Sequence, residues 1–256
     1  MIPKSHPRFR SLVTRESIVT GVKQGITSLH GLIAQGRGEA FDYLIGEKTS
    51  SSALQAEKVA AAMLLLARRP VISVNGNAAA LVPEELIRLS EFTGAQLEVN
   101  LFHRTEERVN KIIEHLSSLG AQKMFTKCDA LIPGIEHERA KVDKDGIFTA
   151  DIVLVPLEDG DRCKALVDMG KTVIAIDLNP LSRTAQTAHI TIVDNIIRAV
   201  PNISRFAEEF KNLKPDELEK IVKDFDNRKN LGFAVDEIIA HLTYFKHHPE
   251  FDNDKA

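Results

Sequence analysis

Asp177-Leu178-Asn179-Pro180-Leu181-Ser182-Arg183-Thr184 sets an acid, an amide, hydroxyls and a guanidinium on consecutive positions. Asp177 and Asn179 carry groups that can read a base or a ribose through hydrogen bonds. Arg183 offers the planar fork that suits phosphate. Thr184 can cap a helix or join the same site. The stretch reads equally as a capped turn in which Asp177 satisfies backbone N–H groups. Two more polar clusters follow the same habit, Glu158-Asp159-Gly160-Asp161 and Asp194-Asn195. Asp159 and Asp161 could hold a cation, or simply line an exposed loop.

These clusters close short runs rich in Val and Ile, at 152–157, 172–178 and 190–193. Such runs read as buried strands. The segments between them are long enough for helices, which makes the strands parallel. Residues 70–75 and 96–100 read as two further strands, closing in Asn75-Gly76-Asn77 and Asn100. A parallel sheet binds ligands outside the carboxyl ends of its strands. Five strands that all finish in polar residues therefore point to one shared cleft. His103 and Arg104 follow the second strand, and His137 and Arg139 lie in the irregular segment 124–149.

Several chemistries are disfavoured. No G-x-G-x-x-G follows a strand, and no G-x-x-x-x-G-K-[ST] occurs, so hydride transfer and P-loop phosphoryl transfer lack their motifs. There is no G-x-S-x-G nucleophile elbow. His103, Glu106 and His137 have no metal-type spacing, and the two cysteines, Cys128 and Cys163, have none either.

The elements around the cleft follow from periodicity. Residues 2–15 begin as an extended arm with prolines beside Ser5-His6, Ser11 as a helix cap, and a cationic start at Arg8, Arg10 and Arg15. That start is either a solvated surface or an anion clamp. Residues 28–45 have helical apolar spacing, interrupted by Gly36-Arg37-Gly38, which is either a break or a close contact. Thr49 to Ser52 offer caps for a buried helix through Arg69, and 83–92 is a helix with Pro83 in its first turn. Thr105 caps a helix that stops near Gly120. Helices resume after Pro201, with a start at Lys214-Pro215-Asp216-Glu217 and another helix over 231–245; the polar tail from His247 frays.

The 256 residues form a single α/β domain, a Rossmann-like, mostly parallel sheet flanked by helices. Its parts are an N-terminal arm and helices (1–69), the core (70–203) and C-terminal helices (204–256). A net charge of −3 gives no support to nucleic-acid or membrane attraction. No apolar run is long enough to span a bilayer, and residues 1–10 do not read as a secretory leader, so a reduced cytoplasmic setting is expected.

Four segments carry a resemblance: IPKSHPRFRSLVTRE, VNGNAAAL, NLFHRTEERV, and VPLEDGDR through IDLNPLSRTAQTAHITIVDN. Together they resemble the archaeal-type phosphopantothenate synthetases, or 4-phosphopantoate–β-alanine ligases, from Ile2 to about Ile203. The resemblance implies an ATP-dependent ligation of 4-phosphopantoate and β-alanine in coenzyme A synthesis. The products would be 4′-phosphopantothenate, AMP and pyrophosphate, with an acyl-adenylate between and Mg²⁺ on the nucleotide. It also implies a homodimer. By motif, the ATP contacts fall on Arg15, Arg37, Asp177, Leu178, Asn179, Arg183, Thr184, Asn195 and Ile196. For the acid substrate, Asn75, Asn77 and Arg139 are candidates by chemistry and strand-end position. His103, Arg104 and His137 are candidates for catalysis, one histidine serving as the base. A kinase or nucleotidyltransferase using the same cleft, or a nucleotide sensor, are the alternatives. The apolar helices before Pro70 are expected to supply part of the dimer contact, with Arg15 or Arg37 reaching a neighbouring subunit's cleft.

Overall fold

The computed structural model describes residues 2–6 and 8–248, so the tail expected to fray lies largely outside the described residues. Three helices come first: α1 (Phe9–Gln24), α2 (Leu29–Ile45) and α3 (Ser51–Leu66). The first half of the sheet follows, with β1 (Pro70–Val74), α4 (Gly76–Leu81), α5 (Pro83–Thr93), β2 (Gln96–Val99), α6 (Glu106–Ser118) and β3 (Met124–Phe125). An excursion carries the small antiparallel pair β4 (Ala130–Leu131) and β5 (Lys141–Val142). The second half is β6 (Ile152–Pro156), α7 (Gly160–Asp168), β7 (Thr172–Ile176), α8 (Arg183–Thr187) and β8 (Ile190–Ile192). The chain then forms α9 (Ile196–Phe210), α10 (Pro215–Val222) and α11 (Asn227–His247).

The six main strands are all parallel and run in the order β3-β2-β1-β6-β7-β8. With the excursion set aside, this is the doubly wound dinucleotide-fold order, and its switch point lies between β1 and β6. Side chains alternate across the sheet. Ile72, Val74, Leu97, Val99, Leu154, Ile174 and Ile176 pack under α3, α5, α6 and α9. Val71, Val153, Val155, Val173 and Ala175 pack under α7 and the excursion. Burial on both faces is why these strands are continuous apolar runs.

Three local expectations are corrected and one open alternative is decided. Ser11 lies inside α1, which starts at Phe9 after Arg8, and its hydroxyl donates to Glu39 Oε1 at 2.7 Å. Of the two readings of Gly36-Arg37-Gly38 the break is absent, since α2 runs through it, and the close contact holds at Gly38, where a Cβ would stand 3.3 Å from the Leu178 side chain. Helix α9 starts at Ile196 and runs through Pro201. Proline there removes one helical hydrogen bond, and the buried face of Ile196, Ala199, Val200, Ile203 and Phe206 outweighs that loss. The excursion adds a sixth strand, β3, to the sheet.

Candidate active site

Helix α2 crosses the carboxyl ends of β1, β6 and β7 and roofs a cleft of about 860 Å³. The cleft sits at the switch point, where the connections diverge and leave room for a ligand. Asn75, leaving β1, spans this gap: Nδ2 donates to the Pro156 carbonyl at 2.7 Å, and Oδ1 accepts from the Ala78 N–H at 2.9 Å, capping α4. Asn77 binds the roof, donating to the Gly31 carbonyl at 2.9 Å and accepting from the Thr27 hydroxyl.

Leu157, leaving β6, takes a left-handed φ of 53°. Such a conformation costs a side-chain-bearing residue of the order of 1 kcal/mol or more. The turn sends Glu158 back into the protein, while Asp159 stays half exposed at the cleft. Both Glu158 oxygens pair with guanidinium groups, those of Arg162 and Arg139. Burial pushes the Glu158 carboxyl up, but Arg162 and Arg139 outweigh it and hold it below the usual range. Arg162 is fully buried; Nε donates to the Arg139 carbonyl at 3.1 Å and Nη2 to Asn100 Oδ1 at 3.0 Å. Ser73 Oγ donates to the same Asn100 oxygen at 3.1 Å. One buried network thus joins β1, β2, α7 and the excursion beneath the cleft floor.

The turn after β7 is internally bonded, as its structural reading requires. Asp177 accepts from the Asn179 N–H at 2.9 Å and from Ser182 Oγ at 2.5 Å; Ser182 in turn caps α8. Burial raises the Asp177 pKa, and its bonds to Ser182 and Asn179 and the nearby Arg37 only partly offset this. Asp177, Leu178 and Asn179 still line the cleft. Thr184 ties this wall to the next, donating to the Glu158 carbonyl at 2.7 Å. At Gly160 a Cβ would come within 2.5 Å of Arg183 Cβ, so only glycine lets the two helix starts meet. Arg183 extends into solvent and pairs with Asp161 at 2.9 Å.

The opposite wall comes from β2 and α6. His103 stacks on His30 of α2 with ring centroids 4.2 Å apart. Burial, His30 and Arg108 all lower the His103 pKa from its ordinary value. Arg108 donates to the carbonyls of His103 and Ile26, the latter at 3.2 Å.

Ten of the residues singled out from sequence line this cleft: Arg37, Asn75, Asn77, His103, Arg139, Asp177, Leu178, Asn179, Arg183 and Thr184. Five do not. Arg104 is buried, donating to the Val99 carbonyl at 3.4 Å. His137 packs at a tilt against Phe102 with centroids 5.2 Å apart and accepts from the Arg139 N–H. Arg15 pairs with Glu39 at 2.9 Å and donates to the Tyr43 hydroxyl at 3.0 Å, across from the cleft face of α2. Asn195 caps α9 and donates to Asp42 Oδ2 at 2.8 Å, and Ile196 is buried in the first turn. Asp42 also pairs with Arg198, which binds Asp194, so these residues form a second buried network behind the cleft. Sequence reasoning missed His30 and gave Arg108 no role. Neither has a local signal, because the fold alone brings α2 across to α6.

A family model described as phosphopantothenate/pantothenate synthetase matches residues 52–241. The chain belongs to this family. Among synthetases of the family, a curated relative from Methanosarcina mazei is 57% identical over 94% of this chain and 95% of its own length. A relative from Thermococcus kodakarensis is 55% identical over 94% of each chain. One from Methanospirillum hungatei is 53% identical over 94% of this chain and 98% of its own. All three are named 4-phosphopantoate–beta-alanine ligase. Among the described residues, no helix of this synthetase is long and apolar enough to cross a membrane.

Proposed function

We propose that this protein is a cytoplasmic ligase that condenses 4-phosphopantoate with β-alanine, consuming ATP and releasing AMP and pyrophosphate, in coenzyme A biosynthesis. Near-full-length identity of 57% to a relative of that name carries the reading. The cleft supports it chemically. The Asp177–Asn179 turn offers base or ribose contacts, Arg37 and Arg183 suit phosphates, and the switch point leaves room for the reacting groups.

In the first step the acid's carboxylate attacks the α-phosphorus and pyrophosphate leaves, giving an acyl-adenylate. In the second, the β-alanine amine attacks the acyl carbon and AMP leaves. Negative charge grows on phosphate oxygens, so fixed guanidinium groups stabilise it most. His103, whose pKa its surroundings lower, takes the proton that β-alanine must lose before its amine can attack. Mg²⁺ would arrive on the nucleotide and be touched by one or two carboxylates, for which Asp159 and Asp161 are the candidates. The cation would neutralise triphosphate charge.

Arg15, Asn195 and Ile196 enter this reading in two ways. Asn195 and Ile196 fix the start of α9 behind the nucleotide, and Arg15 is presented to the cleft of a second subunit. A homodimer is supported by the exposed apolar residues Leu29 and Ile33 on α2 and Phe233, Ile239 and Leu242 on α11. Each subunit is one α/β domain over residues 1–256. Incubation with ATP-Mg, 4-phosphopantoate and β-alanine is expected to release AMP and pyrophosphate only when both acids are present. ADP as product would overturn the reading in favour of a kinase, and binding without turnover would leave a sensor.

A further inference from the structure

Four arginines line the cleft: Arg37, Arg108, Arg139 and Arg183. Two are spoken for by carboxylates, Arg139 by Glu158 and Asp159, and Arg183 by Asp161. Among the described residues, Arg37 and Arg108 have no carboxylate within ion-pair distance. Arg37 acts on Asp177, at the β7 end. Arg108 stands at the other end, on the helix that follows β2. Strands β2 and β7 are three steps apart in the sheet, and each step is about 4.8 Å, so these two ends are separated by about 14 Å. The cleft therefore holds, among the described residues, two arginines outside any ion pair, one toward each end, and only Arg37 has a carboxylate charge acting with it.

Arg108 is also held unusually. Its Nη1 and Nη2 rest on the carbonyls of His103 and Ile26, and its Nε is buried with no partner among the described residues. Neutral acceptors fix the guanidinium without cancelling its charge. His30 adds an imidazole on the same wall, stacked on His103. Leu101 and Phe102, in the loop before α6, add apolar surface to that end of the cleft.

We propose that Arg108, with His30 beside it, binds the 4-phosphate of the acid substrate, while Leu101 and Phe102 pack against its geminal methyl groups. The inference rests on the ligase reading. Phosphopantoate carries its phosphate ester and its carboxylate at opposite ends of a short carbon chain. Anchored at Arg108, it directs the carboxylate toward the switch point between β1 and β6. A nucleotide seated at the Asp177 turn approaches that point from the other side. Selection of phosphopantoate over pantoate is then made at Arg108.

The test measures kcat and KM for phosphopantoate, pantoate and ATP in wild type, Arg108→Gln and Arg108→Lys, with calorimetric binding of phosphopantoate to each. Arg108→Gln is expected to raise KM for phosphopantoate on the order of 10- to 100-fold, the range for a lost charge-assisted contact. The preference for phosphopantoate over pantoate should shrink by the same factor while KM for ATP stays put. Arg108→Lys keeps the charge without the fork and should recover part of the loss. An unchanged preference overturns the proposal, as does a rise in KM for ATP alone, which would assign Arg108 to the triphosphate. If Arg108→Gln does not fold, inorganic phosphate tested on wild type decides. Competition with phosphopantoate and not with ATP is expected, and the reverse pattern overturns the proposal. Failure of the ligase reading is distinguishable, because wild type itself would then make no AMP and pyrophosphate.

Discussion

The side chain of Asn75 joins the ends of the two central strands, donating from Nδ2 to the Pro156 carbonyl at 2.7 Å while Oδ1 caps α4. This amide ties the two strand ends together beyond their last paired residues, at the mouth of the switch-point cleft. Replacing it with aspartate keeps the capping acceptor and removes the donor. A carboxylate oxygen then faces the Pro156 carbonyl, and the strand ends are pushed apart. Asn75→Asp is expected to lose about 1–2 kcal/mol in urea unfolding, mostly from the carbonyl left unpaired. AMP release should fall roughly tenfold or more, because small displacements of positioned groups are costly. An Asn75→Asp enzyme with wild-type turnover would show that the bond is not what positions the reacting groups.

Gly160 is the contact point between two cleft walls. A Cβ there would lie 2.5 Å from Arg183 Cβ and 3.4 Å from the Thr184 backbone nitrogen. The obstacle is close to the backbone and not the tip of a flexible chain, so the start of α8 must move. Gly160→Ala should therefore weaken ATP binding and turnover while costing about 1–3 kcal/mol of stability. Arg183→Ala in the same background relieves little, since the clash is with Cβ itself. Arg183→Gly removes the clashing Cβ and should recover the lost stability, though not the phosphate contact, and urea unfolding of the two double variants checks this ordering.

Arg162 is buried, and its charge is balanced by Glu158. Arg162→Met takes one of two guanidinium partners from buried Glu158 and leaves Arg139 as the other, so it is expected to cost about 3 kcal/mol. The double variant Arg162→Met with Glu158→Leu should recover only part of that in urea unfolding, because Arg139 then keeps Asp159 alone. The pH dependence has a defined sign. The folded Glu158 pKa is depressed from the ordinary value of 4.5, so its contribution is present above that value. It is lost as pH falls through the folded pKa. Acid unfolding of the double variant should lack this component.

Five of the six sheet strands are legible in the sequence: burial on both faces makes β1, β6, β7 and β8 Val- and Ile-rich runs, while β2, Gln96-Leu97-Glu98-Val99, carries the buried Glu98. β3 is not legible, because two residues of intermediate burial leave no period to read. The turn at Asp177 was legible as polar chemistry after a strand, yet its bonding within the turn could be known only from geometry. The spacing in α2 gave the helix but not its environment. Leu29 and Ile33 sit in its apolar pattern and are 68% and 65% exposed, while Asp42 of the same helix is buried against Arg198. Periodicity reports which residues share a face, not what covers that face. Nor could it place Asn195 and Arg15 away from the cleft lining, since both positions depend on how the N-terminal helices dock.

Glu57 gives a pH prediction of the opposite sign. It lies on α3, fully buried, and neither carboxyl oxygen has a hydrogen-bond partner among the described residues. Burial first, and then the neighbouring Asp194 charge, push its pKa from 4.5 up to about 9. The folded protein therefore holds a proton that the unfolded chain releases. Between about 4.5 and about 9 the native state binds more protons, so stability declines as pH rises through that window. Glu57→Gln keeps the shape and stays neutral at every pH. Urea midpoints measured from pH 5 to 9 should fall with pH in wild type more steeply than in Glu57→Gln, and the variant should be the more stable protein at the alkaline end. Parallel slopes would mean that Glu57 gains a partner or water in solution and ionises normally.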